Sequence, residues 1–272
     1  MKRIKVGIVG CGAIGSSLSR AIFKNFFGKA ELVALYDLDG LKSEALARKL
    51  KRKHLAVKSL ESLIRKSGLV IEAASADASY KIAKMVLSKR KSVMIMSVGG
   101  IVKGFKELSR LAARNNCRIY IPSGAISGVD ALKAANIGKV RKVTLTTTKS
   151  PLGFKGVKYI LNKGMDLNRI KAEKVLFYGK ASDAVKYFPQ NINVAAVLSL
   201  SGIGINNTKV RIIASPKASR NMHEIKIESA AGDILTRTEN VLHPDNPKTS
   251  YLAVLSAIAV LKRILEPVVI GT

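Results

Sequence analysis

Three histidines, His54, His223 and His243, are the chain's candidates for proton transfer near neutral pH, and their surroundings separate them. His54 falls in the basic run RKLKRKH and reads as a surface residue. His243 precedes Pro244 in ENVLHPDNPKTS, a segment dense in turn-forming residues, and stays a candidate near a site. His223 follows the polar stretch SRNM and opens an alternating apolar–polar segment, which suits a general acid or base held on a strand and equally a structural histidine. Cationic clamps for carboxylates could come from Lys149, Arg220 or Lys248, with Asn221 as a polar neighbour.

A second pattern lies near the N-terminus, in VGIVGCGAIGSSLSR. Gly10, Gly12 and Gly15 form GxGxxG behind an apolar run, with Ala13 and Ile14 completing the turn into a helix. In this spacing the first glycine permits the tight turn and the second lets the backbone approach a pyrophosphate. The third lets the helix pack closely on its strand. The helix N-terminus then offers free N–H groups to phosphates. Asp37 ends the next apolar run, 22 residues after Gly15, where a carboxylate would bind ribose hydroxyls and repel a 2′-phosphate. NAD is therefore expected over NADP, with Asp39, Lys42 and Ser43 leaving NADP possible. Cys11 stands inside the turn, where a small residue is needed and a helix N-terminus could lower a thiol pKa.

Two sets of strands and helices carry these residues. Residues 3–10, 31–37, 68–75, 91–97 and 117–123 are short Val/Ile/Leu-rich runs, as in parallel strands buried on both faces. Helical patterns at 13–26, 41–53, 77–90 and 105–116 separate them, which predicts a Rossmann-type doubly wound α/β sheet over residues 1–122. After Gly124 the pattern changes to alternation at 139–151, 209–215 and 223–240, the last with AAGD as a hairpin turn. One helix is expected over 183–202. Residues 123–247 thus read as a second α+β domain with a mostly antiparallel sheet, carrying substrate residues and a dimer surface. A final helix within 248–272, capped by Thr249 or Ser250, is expected to pack back on the first domain.

Composition limits the partners. The chain has 272 residues, 47 basic against 18 acidic, for a net charge of +29. The basic residues are spread along the chain without interleaved aromatics, so anionic small molecules fit better than nucleic acid as the main partner. No apolar run is long enough to span a bilayer, and two cysteines make no disulfide framework, which points to a cytoplasmic protein. No metal-ligand spacing stands out.

The segments VGIVGCGAIG, PSGAISGVDALKAA, TLTTTKSP, FPQNINVAAVLSL, RNMHEI and ENVLHPDNPKTSYLAVLS, in this order, resemble the archaeal and bacterial L-aspartate dehydrogenases. The resemblance implies NAD(P)-dependent oxidative deamination of L-aspartate to iminosuccinate, which hydrolyses to oxaloacetate and ammonia or feeds NAD biosynthesis. It implies that Ala125 and Asn191 contact the cofactor and that His223 is the active-site histidine. One position departs from the family pattern: Thr148 stands where an arginine is usual, followed by Lys149, which lacks a bidentate fork. A related dehydrogenase or imine reductase acting on another small dicarboxylate or amino acid is the nearest alternative. A non-catalytic nucleotide-sensing or nucleic-acid-associated protein is the alternative of another class.

Overall fold

The structure is a computed structural model that describes residues 3–188, 192–244 and 246–271. The chain divides into two compact units, Met1–Pro122 with Val254–Val269, and Ser123–Ala253 with Ile270–Thr272.

The first unit alternates strands and helices: β1 (Ile4–Val9), α1 (Ala13–Asn25), β2 (Ala30–Tyr36), α2 (Gly40–Lys49), α3 (Leu60–Lys66), β3 (Leu69–Glu72), α4 (Ala76–Ser88), β4 (Ser92–Ile95), α5 (Phe105–Arg114) and β5 (Ile119–Tyr120). The strands lie in the order β2-β1-β3-β4-β5, all parallel. Every residue of β3 is buried, because parallel strands covered by helices on both faces have no solvated side. The order reverses beside β1, so the crevice outside the carboxyl ends of β1, β2 and β3 is where such a sheet binds ligands. Helix α3 was not expected; Ser59 caps it by accepting from the Ser62 N–H, a signal hidden in the short stretch SLESLIRK. The fifth strand is shorter than the apolar run suggested, two residues against seven.

The second unit contains α6 (Val129–Ala135), β6 (Val140–Lys149), α7 (Lys158–Asn162), β7 (Lys174–Lys180), α8 (Ala181–Tyr187), α9 (Ile192–Ser201), β8 (Lys209–Ala214), β9 (Asn221–Ser229), β10 (Gly232–Asn240), β11 (Leu242–His243) and β12 (Asn246–Ser250). Five strands form one sheet in the order β10-β9-β6-β8-β7, antiparallel except for the β6–β8 pair. Helix α8 packs against β7 and β8, on the face that carries Leu145, Ile212 and Ile225.

Two expectations need correction here. The helix read over 183–202 is two helices: Phe188 leaves helical geometry at φ −127°, ψ 66°, the backbone bias imposed by a following proline, here Pro189. Residues 246–250 are not the start of the last helix but strand β12, paired with β11. Asn246 precedes Pro247 and is likewise biased to extended backbone. The helix α10 runs Tyr251–Leu265, and the Ser250 hydroxyl donates to Asn240 Oδ1 at 2.6 Å. Along α10, Ala257, Leu261 and Leu265 recur at helical spacing and join Leu18, Ile22 and Phe26 in the core of the first unit.

Candidate functional site

In the first unit the glycine turn joins β1 to α1, and its three glycines meet different surroundings. Gly10 has φ +94°, and a Cβ there would run into the Ala73 carbonyl. A Cβ on Gly15 would run into the Gly10 carbonyl and lie 3.3 Å from Ile8 Cγ2, so the helix sits against its own strand. A Cβ on Gly12 would meet nothing within 4 Å, which leaves open space in front of the α1 N-terminus. Gly12 is the N-cap, no side chain caps this end, and the first turn, which contains Ala13 and Ile14, holds no acidic residue. The free N–H groups and the helix dipole therefore face that space.

Asp37 follows β2. Its Oδ2 accepts from the Cys11 N–H at 2.7 Å and its Oδ1 from the Asp39 N–H at 3.0 Å, so the carboxylate is oriented before any ligand arrives. A groove of about 800 Å³ runs past Gly10, Gly12, Asp37, Ala74, Ser75 and Lys42. Glycine space, uncapped helix end and oriented acid fit a dinucleotide. Cys11 is not an activated thiol: burial, with the nearby Asp37 charge, pushes its pKa up to about 12. Here desolvation outweighs the helix N-terminus.

In the second unit His223 lies on β9 opposite Thr147 on β6. His223 is 5% exposed and Thr147 1%, with Thr147 Oγ1 3.0 Å from His223 Nδ1. That contact orients the ring through Nδ1 and turns Nε2 the other way. Burial, helped by the charge of Lys149, pushes the imidazole down to about 4, so the ring is neutral at pH 7. Lys149 ends β6, its stem lies 3.3 Å from where a Cβ on Gly153 would be, and burial lowers its pKa. Strand alternation puts Thr147 and Lys149 on one face of β6 and Thr148 on the other. The departure at 148 therefore does not remove a cation from the His223 side.

The remaining sequence candidates separate. Ala125 is buried, and its carbonyl accepts from Asn240 Nδ2 at 3.0 Å. Through the Ser250 hydroxyl, Asn240 also ties this segment to the end of β12. His243 is buried with its ring 5.6 Å from that of Tyr251, which makes it a packed residue and not the turn residue its proline neighbour suggested. Arg220 is exposed and Asn221, which opens β9, is half-buried. Asn191 lies outside the described residues, as does the side chain of Lys248. His54 is exposed. Sequence reading missed Thr147, Asn240 and Glu72. For Glu72 a signal existed, since an acid at the end of an all-apolar run must find buried partners.

Residues 130–264 match the family model for the aspartate dehydrogenase C-terminal domain, and residues 10–122 that for the homoserine dehydrogenase NAD-binding domain. An L-aspartate dehydrogenase of Methanosarcina barkeri is 48% identical over 271 residues, covering 99% of this chain and 100% of the relative. The chain belongs to the aspartate dehydrogenase family. Another family member, from Methanococcus maripaludis, is 42% identical over 99% of this chain and 100% of its own length. The crystal structure of aspartate dehydrogenase from Thermotoga maritima superposes with a TM-score of 0.73 at 27% identity, covering 99% and 100% of the two chains. Like its family, this chain is an NAD(P)-dependent amino-acid dehydrogenase, with the doubly wound NAD-binding unit and mixed-sheet second unit described above. Among the described residues no helix is long and apolar enough to cross a membrane.

Proposed function

We propose that the chain oxidises L-aspartate to iminosuccinate with NAD, and with NADP as a weaker alternative. The observation that carries this reading is the family match along 99% of the chain, with nothing of the relative left uncovered. When bound, the nicotinamide accepts the hydride from the substrate Cα. Gly12 and the α1 N-terminus would hold the pyrophosphate, and Asp37 the ribose hydroxyls. Asp37 is also the reason NAD is preferred, while Lys42 and Lys58 on the same groove leave room for a 2′-phosphate. Ala125 and Asn191 would contact the nicotinamide end.

His223 handles the substrate nitrogen's proton at Nε2. Substrate ammonium must lose a proton before its nitrogen lone pair can form C=N, and a neutral imidazole can take it. In the reverse direction the protonated ring returns it. Lys149, on the same face of its strand as Thr147, would hold a substrate carboxylate, with Arg220, Asn221, His243 and Lys248 as further candidates around it. Iminosuccinate then hydrolyses to oxaloacetate and ammonia or enters pyridine-nucleotide biosynthesis in the cytoplasm. A homodimer would form through the open face of the second unit's sheet, where Leu235, Tyr178 and Val175 are exposed.

The test is turnover of L-aspartate with NAD or NADP, and of oxaloacetate, ammonia and NADH in reverse, beside His223→Ala. Turnover is expected in both directions and is expected to fall by about 100-fold or more in the variant. No turnover with any dicarboxylate would overturn the reading, and unchanged turnover in the variant would remove His223 from its role.

A further inference from the structure

Glu72 ends β3 with no exposed surface, in a chain where acids are scarce and lysines abundant. Yet no lysine or arginine pairs with it among the described residues. Its partners are backbone and hydroxyl donors. Oε1 accepts the Ala74 N–H at 2.8 Å and Oε2 the Ser97 N–H at 3.0 Å, with the Ser97 hydroxyl alongside. Burial of a carboxyl without a cation is costly, and the net effect of burial against these donors is a raised pKa. A fold that only needed a packed strand end would place valine or isoleucine here, as at Val70 and Ile71.

The two amides that Glu72 holds belong to different loops. Ala74 lies in the segment after β3, whose Ala73, Ala74 and Ser75 line the dinucleotide groove. Ser97 lies after β4, and its carbonyl accepts from the Ser79 hydroxyl of α4 at 3.0 Å. The Ala73 carbonyl is the group that a Cβ on Gly10 would strike, so the glycine turn rests directly on the loop Glu72 fixes. The Ala73 N–H in turn donates to the Val9 carbonyl at 2.7 Å. Beyond the strand ladder and the Met96 N–H, which donates to the Glu72 carbonyl at 2.9 Å, the carboxylate thus adds a side-chain bridge between the β3 and β4 loops, and through them to the wall against which the glycine turn is seated.

We propose that Glu72 is a positioning residue for the nicotinamide cofactor: its buried carboxylate clasps the Ala74 and Ser97 amides and so holds the groove wall in its binding shape. It touches neither cofactor nor substrate. The proposal rests on the groove being the dinucleotide site but not on which amino acid is oxidised.

Glu72→Gln keeps the shape and replaces one accepting oxygen by an NH2 group, which cannot accept from either amide. Leu108→Ala, in α5 and away from the groove, serves as a control that weakens the same unit by a buried cavity. NADH binding is read by nicotinamide fluorescence in the absence of substrate, thermal stability by calorimetry, and exchange of the Ala74 and Ser97 amides by NMR. The expected result is NADH binding weakened about tenfold in Glu72→Gln, faster exchange at whichever of the two amides faces the new NH2 group, and kcat at saturating cofactor retained. Leu108→Ala is expected to lose stability with its NADH affinity intact. Unchanged NADH affinity in Glu72→Gln, with a stability loss like the control's, would reduce Glu72 to a structural acid and overturn the proposal. Failure of the wild-type protein to bind NADH would overturn the cofactor reading together with it. Failure to oxidise aspartate with NADH affinity intact would overturn the substrate reading alone.

Discussion

The His223 imidazole has lost its water and gained a cationic neighbour, and both effects favour the neutral ring. Its folded pKa of about 4 lies below the ordinary 6.5, so the unfolded chain binds a proton more readily. Stability is then fully present above pH 6.5 and falls as pH drops toward 4. At pH 5 the loss from this group alone is about 2 kcal/mol. Urea denaturation at pH 7 and pH 5 should show that difference shrinking in His223→Gln, which does not titrate. An equal loss in both proteins would contradict the depressed pKa. The same ring depends on Thr147 for its orientation, because Nδ1 has that hydroxyl as its partner at 3.0 Å. Thr147→Val keeps the volume and removes the hydroxyl, and a fall in kcat of up to about 100-fold is expected. NADH affinity should hold. Thr147→Ser should recover most of the rate, and a Val variant as fast as wild type would show that the hydroxyl does not aim the ring.

The β1–α1 turn separates what glycine does for folding from what it does for binding. Gly12 has φ −73° with open space beyond it, so Gly12→Ala should fold normally. Its new methyl occupies the place proposed for the pyrophosphate, and NADH binding should weaken by about tenfold or more. Gly15→Ala instead drives a methyl into the Gly10 carbonyl, with an expected cost of roughly 1–3 kcal/mol. Calorimetry and NADH titration on the pair would reject this division if Gly12→Ala lost stability or kept full affinity. These elements were legible because a parallel strand buried on both faces writes a continuous apolar run, and GxGxxG with a following acid is local. In the second unit the signal was weaker. Strand β7 was missed because a bulge between Val175 and Phe177 breaks its alternation and, at the sheet edge, Val175 and Tyr178 stay exposed. The partnership of Thr147 with His223 was not legible, since it needs the β6–β9 register. Glu72 could be flagged as a misfit, but its partner Ser97 lies 25 residues away across a parallel pairing that no local pattern specifies.

The chain has a net charge of +29, and one face of the second unit's sheet exposes Leu235 and Tyr178; these two properties oppose each other. Cross-strand neighbours share a face, so the rows Leu235–Lys226–Thr144 and Arg237–Glu224–Thr146–Arg211–Tyr178 lie together on the side away from His223. On that side Leu235 is 66% exposed and Tyr178 53%, among threonines and ion pairs such as Lys142–Glu228 at 3.5 Å. A second copy of the chain is the proposed occupant, and its own charge is the same sign. Self-repulsion between the copies weakens the pair at low salt. Raising salt from about 0.1 to about 1 M shortens the screening length from about 10 to about 3 Å and should tighten the dimer. Nucleic-acid association has the opposite sign, because binding there releases counterions and weakens steeply with salt. Sedimentation across that salt range, with and without a short DNA duplex, therefore reads both properties at once. Dimer formation that strengthens with salt and is lost in Leu235→Lys, with no salt-sensitive DNA complex, is the expected outcome. A dimer indifferent to Leu235→Lys would place the interface elsewhere, and a tight duplex complex dissolving with salt would give the basic surface a polymeric partner.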